Sequence, residues 1–214
     1  MISASEALDR LIQGNSRFVT DTRCISLAGK PRHDELSARQ EPFAIILGCS
    51  DSRVPAEIVF DQGLGDLFVI RVAGNIVAPT LVGSVEFAAE RFATPLVVVL
   101  GHSDCGAVLA TLEDLESPSE TRPPGIGLIV NRIRPTLELL FDTELRNNRD
   151  DLVQHAVRAN IQASANQLRQ GSMLLEELIQ KRELLIVGAE YSLETGVVDF
   201  FDGMPAAGQS ATEF

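Results

Sequence analysis

Two apolar, β-branched runs, Phe43-Ala44-Ile45-Ile46-Leu47 and Leu96-Val97-Val98-Val99-Leu100, each break off into a glycine and a polar segment. Such runs predict buried parallel strands. The first leads to Cys49-Ser50-Asp51-Ser52-Arg53, the second to Gly101-His102-Ser103-Asp104-Cys105-Gly106. Ligand sites in open α/β sheets lie at the carboxyl ends of strands. Cys49, His102 and Cys105 can therefore converge at one rim of one sheet. Two thiolates and an imidazole form a borderline-soft, three-ligand set that suits Zn²⁺ and leaves a fourth position open, the mark of a catalytic rather than a structural site.

The rest of the chain alternates strand and helix signals. Ser5 ahead of Glu6–Ile12 predicts a capped amphipathic helix with Gly14 near its end. Thr20 to Glu41 reads as irregular, so residues 1–41 form an N-terminal helical arm. After the first strand come a short helical turn over Pro55–Phe60 and a second strand over Asp66–Val72. Leu81 to Phe92 places Leu81, Val82, Val85, Phe87, Ala88 and Phe92 on one face and predicts a crossover helix, stopped by Pro95. Gly106–Leu112 is helical, and Glu116–Pro124 is a Ser- and Pro-rich loop. Helices over Ile126–Phe141, Leu152–Leu168 and Met173–Lys181 precede a fourth strand at Leu184–Gly188. Thr195–Phe200 adds a strand or edge, and the tail Gly203–Phe214 is frayed. The sum is one doubly wound α/β domain over 1–214, with a mostly parallel sheet of four to five strands flanked by helices.

Lys and Arg number 18 against 30 Asp and Glu, a formal charge of −12. That balance opposes nucleic-acid phosphates and anionic lipid, both of which need basic patches. The apolar runs are too short to cross a bilayer. Met1–Leu8 lacks the basic and apolar regions of a secretory signal. Three widely spaced cysteines do not make a disulfide framework. These features point to the cytoplasm, whose reducing conditions keep Cys49 and Cys105 available to metal.

Cys105 sits where a strand turns into a helix, and a helix N-terminus lowers a thiol pKa. His102, three residues earlier, fixes the bite, and Cys49 closes the triangle from a neighbouring strand end. Gly48, Gly101 and Gly106 would let backbone pass close to the metal. Cys24, His33 and His155 have no partner motif and read as ordinary residues. Asp51 and Arg53 form either a solvated ion pair or a switch, with Asp51 accepting a hydrogen bond from metal-bound water or itself taking the fourth position.

Cys49-Ser-Asp51-Ser-Arg53-Val-Pro, then Gly65-Asp-Leu-Phe-Val-Ile-Arg71-Val-Ala-Gly74-Asn75, then Gly101-His102-Ser-Asp-Cys105-Gly106 together resemble the β-class carbonic anhydrases. The resemblance runs from about Ala4 to about Phe200. It implies one Zn²⁺ per chain on Cys49, His102 and Cys105, with Asp51 and Arg53 as a catalytic pair. It implies reversible hydration of CO₂ to bicarbonate and a proton by zinc-bound hydroxide. Members of the family show Asp51 both off and on the metal, and the resemblance admits both here. Arg71, Gly106 and Tyr191 become candidates for substrate or regulatory contacts, whereas Gly74 and Asn75 read as strand-end and turn structure. Some bacterial members bind regulatory bicarbonate through Trp, Arg and Tyr. Arg71 and Tyr191 match two of these, but Ile46 stands at the Trp position and the chain has no Trp. The resemblance also implies a homodimer or tetramer, with the first helix (Ala7, Leu8, Leu11, Ile12) lying across a partner. The rival readings are a CS₂ or COS hydrolase of the same fold, a cysteine-nucleophile enzyme using Cys49 and His102, and a non-catalytic zinc or bicarbonate sensor. The short spacing from Cys49 to Arg53 lacks the loop a phosphatase nucleophile needs.

Overall fold

The computed structural model describes residues 2–24, 40–118 and 121–205. Strands β1 (Ala44–Cys49), β2 (Leu67–Val72), β3 (Leu96–His102) and β4 (Leu185–Tyr191) run parallel, and β5 (Val198–Asp202) lies antiparallel on β4. Among the described residues they form one sheet in the order β2-β1-β3-β4-β5. The central strands β1 and β3 are buried at every position, as strands covered on both faces must be. β2 is an outer strand and only half-buried.

Alternation divides the core. Ile45, Leu47, Val97, Val99 and Ile186 face a cluster built with helices α3 (Pro79–Phe92), α4 (Gly106–Glu116), α5 (Pro124–Phe141), α6 (Arg149–Gln170) and α7 (Met173–Gln180). Ala44, Ile46, Val98, Leu100, Val187 and Ala189 face the opposite cluster, covered by α1 (Ala4–Val19) and the short α2 (Ala56–Val59).

Several details depart from the sequence reading. The cap of α1 is Ser3, not Ser5: Ser3 Oγ accepts from Glu6 N at 3.2 Å, and Ser3 N donates to Glu6 Oε2 at 2.7 Å. The paired bonds satisfy donors at both ends of the first turn. Gly14 does not end the helix. A Cβ there would fall 1.8 Å from the Phe60 carbonyl oxygen, so glycine lets α1 press onto α2. Asn15 then fastens α1 down, donating to Val59 O and Gly196 O and accepting from Val198 N. Ala7, Leu8 and Leu11 are buried on their own sheet with Phe43, Ile46 and Phe60, while Ile12 is exposed. The helix does not need a partner chain to cover its apolar face, because the sheet of its own chain offers one.

In α3, Val85, Ala88 and Ala89 make the buried face. Phe87, expected there, is 53% exposed and packs with Phe68 of β2 and Phe92 on the outer flank. Its 3.6-residue phase places it beside the half-covered edge strand rather than over the sheet. α3 ends at Ala93, which turns left-handed (φ 49°), before Pro95 is reached. β4 continues beyond Gly188 to Tyr191, and β5 is the antiparallel edge. His33 with the rest of residues 25–39 of the arm, and the end of the tail (206–214), lie outside the described residues.

Candidate metal centre

Cys49 is the last residue of β1, and His102 the last of β3 beside it. Cys105 follows three residues later as the N-cap of α4. Parallel pairing of β1 with β3 thus delivers two donors to one rim, and the tight turn after β3 delivers the third. The donor atoms of all three lie within 4.8 Å of one another, and all three residues are buried. The two sulfurs are 3.9 Å apart.

The tautomer of His102 is fixed by its neighbour. Nδ1 lies 2.9 Å from Ser103 O, and a carbonyl can only accept, so Nδ1 carries the proton. Nε2 is left with its lone pair, buried, and with no hydrogen-bond partner among the described residues. Buried polar nitrogens are rarely left so, and a cation is the partner that an imidazole lone pair beside two sulfurs would take. The residues present therefore fit Zn²⁺.

The Cys105 thiol beside Cys49 holds the Cys49 thiol down to about 4, against the opposing effect of burial and with help from Gly74 N–H at 3.4 Å. The same sulfur–sulfur contact, with burial, pushes Cys105 up. Without a metal one sulfur can donate to the other; a bound Zn²⁺ would take both as thiolates.

Asp51 and Arg53 occupy the turn after β1. Asp51 Oδ1 accepts from Arg53 N at 2.9 Å and Arg53 Nε at 3.0 Å, and Oδ2 accepts from Arg53 Nη2 at 2.7 Å. Oδ2 is also 3.8 Å from His102 Nε2. Arg53 is mostly exposed while Asp51 is largely covered, so the pair forms the rim of the centre. Arg53 holds the Asp51 carboxyl well below the usual carboxylate range. Arg71 reaches across from β2, donating to Cys49 O at 3.1 Å and Asp51 O at 2.5 Å. It clamps the backbone on both sides of Ser50.

The glycines divide. A Cβ on Gly101 would meet Ile161 of α6 at 2.5 Å, so that position needs glycine for helix packing. At Gly106 a Cβ would meet nothing within 4 Å, and at Gly48 only ordinary contacts. Gly74, read from sequence as turn structure, also touches the centre through its N–H on Cys49 Sγ. The sequence signals for it are its place in the Gly65–Asn75 motif of the resemblance and its position two residues past the end of the strand that pairs with the Cys49 strand.

A family model described as carbonic anhydrase matches residues 44–198, the span that contains every group above. A solved β-carbonic anhydrase, CcaA, superposes with a TM-score of 0.71 at 27% identity, covering 94% of each chain. This chain belongs to the β-carbonic anhydrase family. Carbonic anhydrase 2 of Mycobacterium tuberculosis is 39% identical over 195 residues, covering 87% of each protein. The carbonic anhydrase of Mycolicibacterium smegmatis is 38% identical over 189 residues, covering 88% of this chain and 89% of that protein.

Within this carbonic anhydrase the regulatory candidates stand apart. Arg71 is on the outer strand β2 and Tyr191 on β4, with β1 and β3 between them. Tyr191 is buried and packs near the Phe18 ring of α1, and burial pushes its hydroxyl pKa up. Ile46 is wholly buried under α1. His155 lies on α6 with Nδ1 on the Asp151 carbonyl, and Cys24 is exposed; neither joins the centre.

Proposed function

We propose that the chain catalyses reversible hydration of CO₂ to bicarbonate and a proton, with one Zn²⁺ per chain on Cys49 Sγ, His102 Nε2 and Cys105 Sγ. The observation that carries this is the buried, unpartnered His102 Nε2 within 4.8 Å of both sulfurs. When bound, zinc lowers the pKa of a coordinated water to about 7, so that a hydroxide nucleophile is available at neutral pH.

The protein's own groups aim that nucleophile. Asp51 Oδ2 is the carboxylate oxygen nearest His102 Nε2, at 3.8 Å. It accepts the single proton of the nucleophilic oxygen and so turns its lone pair toward CO₂. An acceptor there selects an O–H that has one proton to give. Asp51 is ionised throughout the working range, its carboxyl held below even the usual carboxylate range by Arg53, so it holds that proton without taking it. Arg53 also ties both carboxylate oxygens, which keeps Asp51 from acting as a fourth ligand. Arg71 fixes the backbone from which Asp51 projects.

Assembly as a homodimer, alone or paired into tetramers, is part of the proposal. Its support is the outer strand β2, with Leu67, Phe68 and Val69 half-covered and the exposed Phe87 beside it. An apolar sheet edge of this kind is normally covered. Among the described residues no helix is long and apolar enough to cross a membrane. Free thiols at Cys24, Cys49 and Cys105 favour a reducing, cytoplasmic setting.

Metal analysis with stopped-flow CO₂ hydration tests the reading. A stoichiometric zinc protein that hydrates CO₂ is expected. A zinc protein that hydrolyses CS₂ or COS but not CO₂, or that binds zinc without turnover, overturns it.

A further inference from the structure

Cys49 Sγ receives a backbone N–H from outside the ligand set, and the group that aims this N–H is 86 residues away. Gly74 lies in the 3₁₀ turn Ala73–Asn75 directly after β2 and donates to Cys49 Sγ at 3.4 Å. It does so from the left-handed region (φ 70°, ψ 20°), and Asn75 follows at φ 42°. Such conformations are costly for non-glycine residues and persist only when the surroundings hold them. A Cβ on Gly74 would approach both Ala107 Cβ and Ile133 Cδ1 to 2.9 Å, so the turn is pressed against α4 and α5 from behind.

The turn is gripped from the front by α6. Asn160 is buried on a largely apolar helix face, with Ala156, Val157, Ile161 and Ala165 around it and the small Ser164 one turn on. Its Nδ2 donates to Gly74 O at 2.8 Å. A buried amide on an apolar face is costly unless bonded, and this one is bonded to the residue that supports the metal-ligand sulfur.

We infer that Asn160 is a positioning residue for the metal centre: by pinning the Gly74 carbonyl it holds the Gly74 N–H on Cys49 Sγ and so sets the donor strength and direction of that sulfur. The inference rests on the zinc reading above. An N–H on a thiolate withdraws charge from the sulfur and fixes the direction of its remaining lone pairs. Outer partners of this kind typically change metal affinity by about 10- to 100-fold.

The test uses Asn160→Asp, which keeps size but replaces the donor, and Asn160→Leu, which removes it. Zinc affinity is measured by competition with a chromophoric chelator, and the sulfur-to-metal charge-transfer band is recorded on the Co²⁺-substituted protein. The expected result is about a 10- to 100-fold loss of zinc affinity and a cobalt band shifted to lower energy, with native far-UV circular dichroism. Variants that melt earlier but keep the wild-type affinity and band overturn the inference, since Asn160 would then only support the fold. A further measurement needs no variant. In the ¹¹³Cd-substituted wild-type protein, the Gly74 amide proton should show scalar coupling to cadmium through the N–H···S bond, and its absence overturns the arrangement. If the wild-type protein takes up none of these metals, it is the zinc reading that fails.

Discussion

Asp51→Asn changes one atom and places it where the geometry is least forgiving. In the wild type, Oδ1 accepts two N–H groups of Arg53 and Oδ2 accepts one. An asparagine has a single acceptor to offer. The doubly donated Oδ1 position claims it, which leaves the amide NH₂ at the Oδ2 position. There it meets Arg53 Nη2, 2.7 Å from the present oxygen, and it faces His102 Nε2, 3.8 Å away. The side chain then presents a donor at the point where the reaction needs an acceptor. Loss of one pre-aimed hydrogen-bonding group of this kind lowers turnover by about 10²–10³, or about 2.7–4 kcal/mol of barrier. The effect should fall on kcat rather than KM, because the bond orients the nucleophile and not the uncharged substrate. Cys49, His102 and Cys105 are untouched, so the zinc content should stay stoichiometric. The assay is stopped-flow CO₂ hydration on metal-analysed protein. Turnover within about threefold of wild type at full zinc occupancy, set against the 10²–10³ expected, would refute the role given to Asp51.

Further outcomes follow from the same geometry. Arg53→Ala should keep zinc and lose turnover across pH 6 to 9, a range spanning the coordinated-water pKa of about 7, without moving the midpoint of the profile. Asp51 is depressed by Arg53 and relaxes only toward about 3.9, so it stays ionised; a shifted midpoint would show that Asp51 itself titrates in that range. For the same reason, the stability that Asp51 contributes is present above about pH 4 and is lost on acidification below it, which pH-dependent melting will read as a difference between wild type and Asp51→Asn. Cys105→Ser should strip the metal and abolish activity, because a neutral hydroxyl replaces a thiolate; zinc retained at one per chain contradicts it. Leu11→Ala should cost about 2–5 kcal/mol, since Leu11 is wholly buried between α1 and its own sheet; a loss below about 1 kcal/mol would be too small for a buried leucine and would place α1 elsewhere.

The convergence of Cys49, His102 and Cys105 was legible because they sit at or just past the ends of β1 and β3, whose uninterrupted apolar runs announce burial on both faces. Asp51 and Arg53 were legible for a related reason, since the pair is contained in five residues of one turn. What the sequence hid depends on contacts between distant segments. Nothing in Ala7-Leu8-Leu11 says which sheet they cover, because an amphipathic helix fits any apolar surface. Phe87 was misplaced rather than hidden: two residues from Val85, it lies about 200° round the helix from it, away from the buried face of Val85, Ala88 and Ala89. Gly74 looks like any turn glycine until its left-handed φ and the Cys49 sulfur are seen together. Arg71 was marked for a ligand contact, and what its position in the sequence did not reveal is that it also donates to the Cys49 and Asp51 carbonyls. Asn160 sits in a helix with no motif at all.

The spacing of the two sulfurs has a consequence beyond coordination. At 3.9 Å they need to close by only about 2 Å to reach the length of a covalent S–S bond. Any two-electron oxidant, a peroxide or a disulfide, therefore competes with the metal for the same pair. The oxidised protein would have lost two of its three donors at once. On the zinc reading proposed above, a bound zinc would act as a protecting group, and the order of events in the life of each molecule would decide its fate: metal first would give an enzyme, oxidant first a cross-linked shell. Thiol counting after peroxide treatment should find two fewer thiols in the metal-free protein and no loss from this pair in the loaded one.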